Sequence, residues 1–263
     1  MPKLSVITVN YNDAAGLQRT IESVIGQSFR DFEFIIIDGG STDGSVDVIK
    51  SYADHIDYWV SEPDGGIYAG MNKGLRQARG EYLNFMNSGD CYHSSDVLQE
   101  IFDLRQTADI ITGIHAENGA ENIGRNGITM FDLYRCAVDH QASFIRRELH
   151  LRHPYDERYR IVSDWKFFIE ALVFDNCSFF FTDTVVVDVD MTGISNTNMQ
   201  LNNEEREQVL RELFPERVLK DYQLLASVHP DIMRVGTRLT KSQSVRRVVL
   251  RLADLLLRLR GIC

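Results

Sequence analysis

The sequence predicts an α/β fold around a parallel, doubly wound sheet. Two observations carry the prediction. A strand, polar loop and helix follow one another twice in succession from the N-terminus, and the polar loops all come after strands. Leu4 to Val9 is a continuous apolar and β-branched run, Asn10 to Asp13 a polar turn, and Leu17, Ile21, Val24 and Ile25 fall at helical spacing. The order repeats with Phe32 to Ile37 as a strand, Asp38 to Gly44 as a Gly/Ser/Asp loop, and Val46 to Tyr52 as a helix. A third strand is expected at Tyr58 to Ser61, a helix from Ala69 to Ala78, and a fourth strand at Tyr82 to Met86 that runs into Asn87-Ser88-Gly89-Asp90. In an open α/β sheet the ligand crevice lies beyond the carboxyl ends of the strands, so Asn10, Asp38 and Asp90 are expected to be neighbours.

The second half is less regular. Strands are expected at Ile110 to Gly113, Phe179 to Phe181 and Val185 to Val189, with a helix over Asp164 to Phe174. The polar stretch from Asp190 to Asn203 reads as a loop long enough to act as a lid, and helices are expected from Asn203 to Leu213 and over much of the remainder.

Composition bounds the function. With 44% hydrophobic and 25% charged residues and only five prolines, the chain has no disorder signature and should bury a substantial core. Its net charge of -10 is uneven: Asp231 to Cys263 holds eight Lys or Arg against two Asp, a net +6 that leaves -16 for the rest. An acidic body argues against nucleic acid as a partner, because phosphate backbones are bound through clustered cations. A single nucleotide remains compatible, since one metal ion neutralises a diphosphate. Cys91, Cys136, Cys177 and Cys263 show no C-x-x-C pairing and read as reduced bystanders. The N-terminus enters a strand without a charged-then-apolar leader, and no apolar run reaches the roughly 18 residues of a membrane span, so the expected compartment is cytoplasmic.

Three acids stand where chemistry could be placed, and each has a structural alternative. Asp90 follows a strand beside Asn87; such hard oxygens suit Mg²⁺ or Mn²⁺, yet the same acid could cap a helix starting near Ser94. Asp38 could accept from the N3-H of a uracil-type base or serve only the turn, and Asp43 reads as a turn or cap residue. Asp164 opens a helix, where a first-turn acid is favoured in any case.

TVNYND at Thr8 to Asp13, IIIDGGSTDG at Ile35 to Gly44, SEPDGGIYAGMNKGLRQARGEYLNFMNSGD at Ser61 to Asp90, HQASF at His140 to Phe144 and YDERYRIVSDW at Tyr155 to Trp165 together resemble family 2 of the inverting glycosyltransferases, over roughly the first 200 residues. The SEPDGGIY, MNKG and NSGD forms look like bacterial enzymes of exopolysaccharide, colanic-acid or O-antigen assembly. The resemblance implies a GT-A fold: a Rossmann-like nucleotide-binding α/β sheet, an acceptor-binding half and a C-terminal helical extension. The boundaries drawn on it are a transferase domain at 1–213, divided into a nucleotide-sugar half at 1–113 and an acceptor half at 114–213, and an extension at 214–263.

The resemblance also implies roles. Thr8, Asn10 and Asp38 surround the nucleoside; Asp64 and Asn72 lie nearer the ribose and phosphates; Asn87 and His140 contact donor, acceptor or metal site. Asp90 takes Mn²⁺ or Mg²⁺, and Asp164 is the general base that an inverting transfer requires. Asn87 and Gly89 stand where many relatives carry further aspartates. The implied reaction is transfer of a sugar, a hexose for choice, from a UDP- or GDP-sugar to a saccharide or undecaprenyl-linked acceptor, without covalent intermediate or organic cofactor. Two other readings compete. A sugar nucleotidyltransferase shares the architecture but would begin with a Gly-rich basic phosphate loop that TVNYND lacks, and a degenerate nucleotide-sugar-binding subunit would not need both Asp90 and Asp164.

In the tail, Val245, Val248, Val249, Leu252, Leu255, Leu256 and Leu259 follow helical apolar spacing, with Arg246, Arg247, Arg251 and Arg258 largely between them. This basic amphipathic helix reads either as attachment to the anionic inner leaflet of the plasma membrane or as packing on the protein or a partner.

Overall fold

The structure, a computed structural model, describes residues 1–117, 120–121, 126–190 and 198–228, with Arg247 and Arg251. Four parallel strands form its first half: β1 (Leu4–Asn10), β2 (Phe32–Asp38), β3 (Tyr58–Ser61) and β4 (Tyr82–Phe85), in spatial order β3-β2-β1-β4. The register sets Asn10 opposite Asp38 and Asp38 opposite Ser61, so three polar side chains end three adjacent strands at one level.

Alternation along β1 divides the core. Leu4 and Val6 pack with Leu17, Ile21 and Val24 of α1 (Ala14–Ile25). The α2 helix (Ser45–Ser51) adds Ile49 to this layer, and α4 (Val97–Asp103) adds Val97, Leu98 and Ile101. Ile7 and Val9 face the opposite way, toward α3 (Ile67–Gln77), which packs closely because Gly74 has no side chain: a Cβ there would stand 2.4 Å from Cγ2 of Ile7. Asp13 starts α1 by accepting from Gly16 N–H at 2.9 Å.

Beyond β4 the sheet ceases to be parallel. The segment HQASFIRREL contains β8 (Ser143–Arg146), antiparallel to both β4 and β6 (Ile110–Glu117), and then α6 (Arg147–Arg152). An antiparallel neighbour needs no crossover helix, which is why the strand-loop-helix rhythm of the first half gives no sign of it. β9 (Phe179–Asp188) lies parallel to β6 and antiparallel to the short β5 (Cys91–Tyr92), while β7 (Ala120–Glu121) pairs only with β6. The two strands expected at Phe179 to Phe181 and Val185 to Val189 are thus one; polar Thr182, Asp183 and Thr184 interrupt its apolar run, and its register against β6 shifts nearby.

The remaining helices of the first compact unit are α5 (Met130–Arg135), α7 (Ser163–Ile169), which continues as a π-helical turn over Glu170–Phe174, and α8 (Met199–Leu213). Because α8 begins at Met199, the loop expected from Asp190 to Asn203 is shorter than its polar composition suggested; residues 191–197 lie outside the described ones. The chain divides into compact units Met1–Val209 and Leu210–Cys263, a boundary inside α8. The second unit contains α9 (Glu216–Ser227), with Val218, Leu224 and Leu225 exposed. Apart from Arg247 and Arg251, the basic amphipathic stretch lies outside the described residues. No helix among the described residues is long and apolar enough to cross a membrane.

Candidate active site

At the strand ends Asp38 is fully buried, and its two oxygens accept five hydrogen bonds. Oδ1 accepts from Asn10 Nδ2 at 2.7 Å and Ser41 Oγ at 2.6 Å; Oδ2 accepts from Ser61 Oγ at 2.6 Å and from the Ser41 and Gly40 amides at 2.9 and 3.2 Å. Burial pushes this carboxyl up, but the bonds from Ser41, Ser61 and Asn10 prevail and hold it below the usual range. Asp38 therefore fixes the loop after β2 as an ionised carboxylate, leaving Asn10 Oδ1 buried without a partner among the described residues. Asp64 is exposed at the start of α3, accepts from Gly66 N–H at 2.9 Å, and would lie 3.4 Å from a Cβ at Gly39, so it borders the same loop.

Two expected nucleoside-site residues are spent elsewhere. Thr8, with no exposed surface, donates its hydroxyl to the Met86 carbonyl at 2.7 Å and ties β1 to the chain leaving β4. Asn72, also buried, donates to the Tyr155 carbonyl and Glu157 Oε1 at 2.8 and 2.9 Å and accepts from Tyr155 N–H at 3.0 Å. Thr8 thus braces β1, and Asn72 braces α3 against the segment from Tyr155 to Glu157.

A second group of residues joins the turn after β4 to α3, to the segment before β8 and to α7. Asn87 Nδ2 lies 3.2 Å from His140 Nε2, His140 Nδ1 lies 2.9 Å from Asp164 Oδ2, and the Tyr68 hydroxyl lies 2.8 Å from Asp164 Oδ1. The same hydroxyl is 2.6 Å from the Ile161 carbonyl, and its single proton can serve only one of these acceptors at a time. Burial pushes Asp164 up, yet the bond and charge of His140 and the bond from Tyr68 hold it below the usual range. His140 moves oppositely: burial lowers it, and the bond and charge of Asp164 raise it more. Both shifts favour an imidazolium facing a carboxylate. The imidazolium then presents an N–H at Nε2, while Asn87 Oδ1 is buried without a partner among the described residues. Turning the Asn87 carboxamide over would supply that N–H with an acceptor and satisfy the oxygen.

Asp90 is 4% exposed, and its carboxyl is pushed up to about 6. Burial is the main cause, opposed by a 2.8 Å bond from the Asp190 amide and by the charge of His140, and reinforced by the Asp190 carboxylate. It caps no helix, since Asp96 occupies the position before α4. Gly89, at φ 97°, leaves the space that Asp190 fills: a Cβ there would stand 3.0 Å from Asp190 Oδ2. A buried carboxylate short of positive partners suits a hard cation. No group of three His, Cys, Asp or Glu among the described residues could hold a metal ion alone. Mg²⁺ or Mn²⁺ with one protein carboxylate, a diphosphate and water fits that donor set.

Sequence reasoning assigned no role to Tyr68, although it stands in the SEPDGGIY motif; its signal is tertiary, since its partner Asp164 lies 96 positions away. Cavity shape is a poor guide here. A cavity of about 600 Å³ between α3 and the segment from Pro154 to Glu170 includes none of Asp38, Asp90 or Asp164 in its wall, and Lys166 in that wall is already paired with Asp156 at 2.7 Å.

Comparison with known proteins identifies the family and the fold. The family described as Glycosyl transferase family 2 matches residues 5–171. An uncharacterised glycosyltransferase of Mycobacterium tuberculosis is 33% identical over 205 residues, covering 74% of this chain and 78% of that protein. A PGL/p-HBAD biosynthesis glycosyltransferase of Mycobacterium bovis is 31% identical over 179 residues, covering 65% and 70%. Among solved structures, TarS 1-349 of S. aureus in complex with UDP-GlcNAc superposes with a TM-score of 0.65 at 20% identity, over 80% of this chain and 64% of that one. The mannosyltransferase PcManGT of Pyrobaculum calidifontis, in complex with GDP-Man and Mn²⁺, superposes with a TM-score of 0.61 at 14% identity, over 97% and 85%. The family match spans both the Asp38 loop and the Tyr68–Asp164–His140 group, and the chain accordingly belongs to glycosyl transferase family 2, a glycosyltransferase of GT-A fold.

Proposed function

We propose that this protein transfers a sugar, with inversion, from a UDP- or GDP-sugar to a saccharide or lipid-linked saccharide acceptor in surface polysaccharide or glycolipid assembly. The observation that carries the reading is the Asp164 carboxylate held ionised by His140, joined through Asn87 to the motif that ends in Asp90. Transfer forms a bond between the acceptor oxygen and the anomeric carbon, breaks the bond from that carbon to the diphosphate, and moves the acceptor hydroxyl proton to Asp164. The hydroxyl becomes more acidic as its oxygen bonds to carbon, so a carboxylate of low proton affinity suffices. Rotation of the Tyr68 O–H from Asp164 Oδ1 to the Ile161 carbonyl frees a lone pair for that proton. The His140 imidazolium keeps the buried carboxylate charged until then.

Asn10, Asp38, Ser41 and Asp64 form the nucleoside and ribose wall, with Thr8 and Asn72 behind it. Asp90 would hold Mn²⁺ or Mg²⁺, and the cation would supply positive charge to offset what develops on the leaving diphosphate. Mn²⁺ in the PcManGT complex and the nucleotide sugars in both neighbours' complexes support this reading by analogy of fold. The basic tail is assigned to the anionic inner leaflet on its sequence alone; sedimentation with and without anionic vesicles at low salt, for the full chain and for a chain ending at Gln243, tests that part.

The decisive experiment is a panel of UDP-, GDP- and dTDP-sugars with and without Mn²⁺, read as thermal stabilisation and release of nucleoside diphosphate. One donor should stabilise the protein in a metal-dependent way and be turned over. Turnover of a nucleoside triphosphate with a sugar phosphate instead would replace this reading with a nucleotidyltransferase.

A further inference from the structure

Two consecutive residues of α8 grip the segment that carries Asp164 from both sides. Glu205 is 7% exposed, and its carboxylate accepts three successive backbone N–H groups: Arg160 at 2.8 Å on Oε1, Ile161 at 2.9 Å and Val162 at 3.3 Å on Oε2. These are the last residues before α7, whose second residue is Asp164. Arg206 lays its guanidinium 3.9 Å from the centroid of the Trp165 ring and reaches the Leu133 and Tyr134 carbonyls at 3.4 and 3.3 Å. Trp165 Nε1 donates to the Leu133 carbonyl at 2.7 Å, so the guanidinium and the indole are fastened to the same turn at the end of α5.

The consequence lies at Ile161. Its amide is held by Glu205, and its carbonyl is the alternative acceptor for the Tyr68 proton. The peptide group between Ile161 and Val162 carries both that carbonyl and the Val162 N–H held by Glu205 at 3.3 Å, so its position sets how Tyr68 divides its proton between Ile161 and Asp164. Three amides on one carboxylate brace the turn that leads into α7 from a distant element, and Val162, at the cap position, offers no side-chain cap of its own. Because the brace comes from α8, the placement of Asp164 depends on a helix that begins 35 positions further along the chain, at Met199.

We propose that Glu205, assisted by Arg206, is a positioning residue for the general base: it sets the Ile161–Asp164 segment so that Asp164 meets both His140 and Tyr68. The inference rests on the assignment of Asp164 as base. The contacts themselves do not, which allows the two to be tested apart.

The test uses the full chain with ¹⁵N-labelled histidine, the His140 signals being assigned with His140→Gln. A proton on Nδ1 bonded to a carboxylate resonates far downfield of ordinary amides. In Glu205→Ala this His140 signal should shift or vanish while the circular dichroism stays native. Turnover of UDP-GlcNAc or GDP-mannose, whichever the wild type hydrolyses with Mn²⁺, should fall in kcat by about 10²-fold, the loss typical of a misplaced group, with KM for the donor unchanged. Glu205→Gln keeps one acceptor oxygen and should fall between; it also supplies both readouts if Glu205→Ala does not fold. The double variant Glu205→Ala/Asp164→Asn should be no slower than Asp164→Asn alone. An unmoved His140 resonance, or losses that multiply in the double variant, would overturn the proposal. Near-normal turnover by Asp164→Asn would instead overturn the base assignment and leave the His140 resonance to judge the clamp.

Discussion

Nδ1 of His140 stands 2.9 Å from Oδ2 of Asp164, and each residue moves the proton affinity of the other: the imidazole upward, the carboxyl downward. His140 lies just before β8 and Asp164 in the first turn of α7, so the bond unites two elements of the later part of the chain. Asn87, after β4, extends it at 3.2 Å from Nε2. Asp164 is therefore linked through two side chains to the Asn87–Asp90 turn.

His140→Gln should displace the acid limb of the rate profile. Asp164 has an affinity below the usual carboxylate range, and the His140 bond and charge are the largest of the influences that lower it. Removing them raises the folded value, so the carboxylate becomes protonated at a higher pH. The pH at which kcat for donor turnover falls on acidification should move upward relative to wild type. An acid limb that stays in place would show that a group other than Asp164 controls it.

Asp90→Asn should separate metal binding from stability. The folded carboxyl is raised to about 6 from 3.8, so burial of its charged form opposes folding increasingly as pH rises from 3.8 to about 6, reaching a constant cost on the order of 3 kcal/mol above that. Asparagine keeps the acceptor for the Asp190 amide without the charge. At pH 8 the metal-free variant should melt above the metal-free wild type and show no stabilisation by Mn²⁺ with UDP or GDP. Wild-type Mn²⁺ affinity in a calorimetric titration of the variant would remove Asp90 from the metal site.

The first half of the fold was legible because its signals are local. A buried parallel strand is a continuous apolar run closed by a polar loop, and β1, β2 and β3 each begin where such runs begin. β8 was hidden because its four residues sit in a segment that then turns into α6, and β9 because three polar residues divide it. The site follows the same division. Asn10 and Asp38 were nominated by strand ends alone, and register then placed them opposite each other. Tyr68, Glu205 and Arg206 act through contacts with residues 30 to 100 positions away, and no spacing rule in one sequence points to them.

His150 should make stability fall in acid. It is fully buried against Phe167 and Tyr155, each with ring centroids 4.4 Å away, and no side chain among the described residues hydrogen-bonds its nitrogens. Burial lowers its affinity from 6.5 to about 4. The fold requires the neutral ring, so its contribution is intact above pH 6.5 and is lost as pH falls from there to about 4, at about 1.4 kcal/mol per unit. His150→Leu should lose less stability than wild type across that window in urea titrations at pH 7, 6 and 5. Parallel losses in the two proteins would place the acid sensitivity elsewhere.

Asp164→Asn should distinguish a catalyst from a protein that only binds nucleotide sugar. The amide cannot accept a proton, and it also removes the bond and charge that most raise His140, so the proton affinity of the imidazole falls. Neither change touches Asp38, whose carboxylate is tied to Asn10, Ser41 and Ser61 at the opposite edge of the crevice. Donor affinity should therefore remain near wild type. The rate of transfer should fall by roughly 10² to 10⁴-fold, the usual loss of a general base. Asp164→Glu gives a control for charge: it can restore the imidazolium without restoring the position of the oxygen, and should recover the downfield His140 proton but little of the rate. If Asp164→Asn transfers sugar at a near-normal rate while remaining folded, Asp164 is a structural partner of His140, and the base must be sought among the other acids of the acceptor half, Asp188 and Asp190 first.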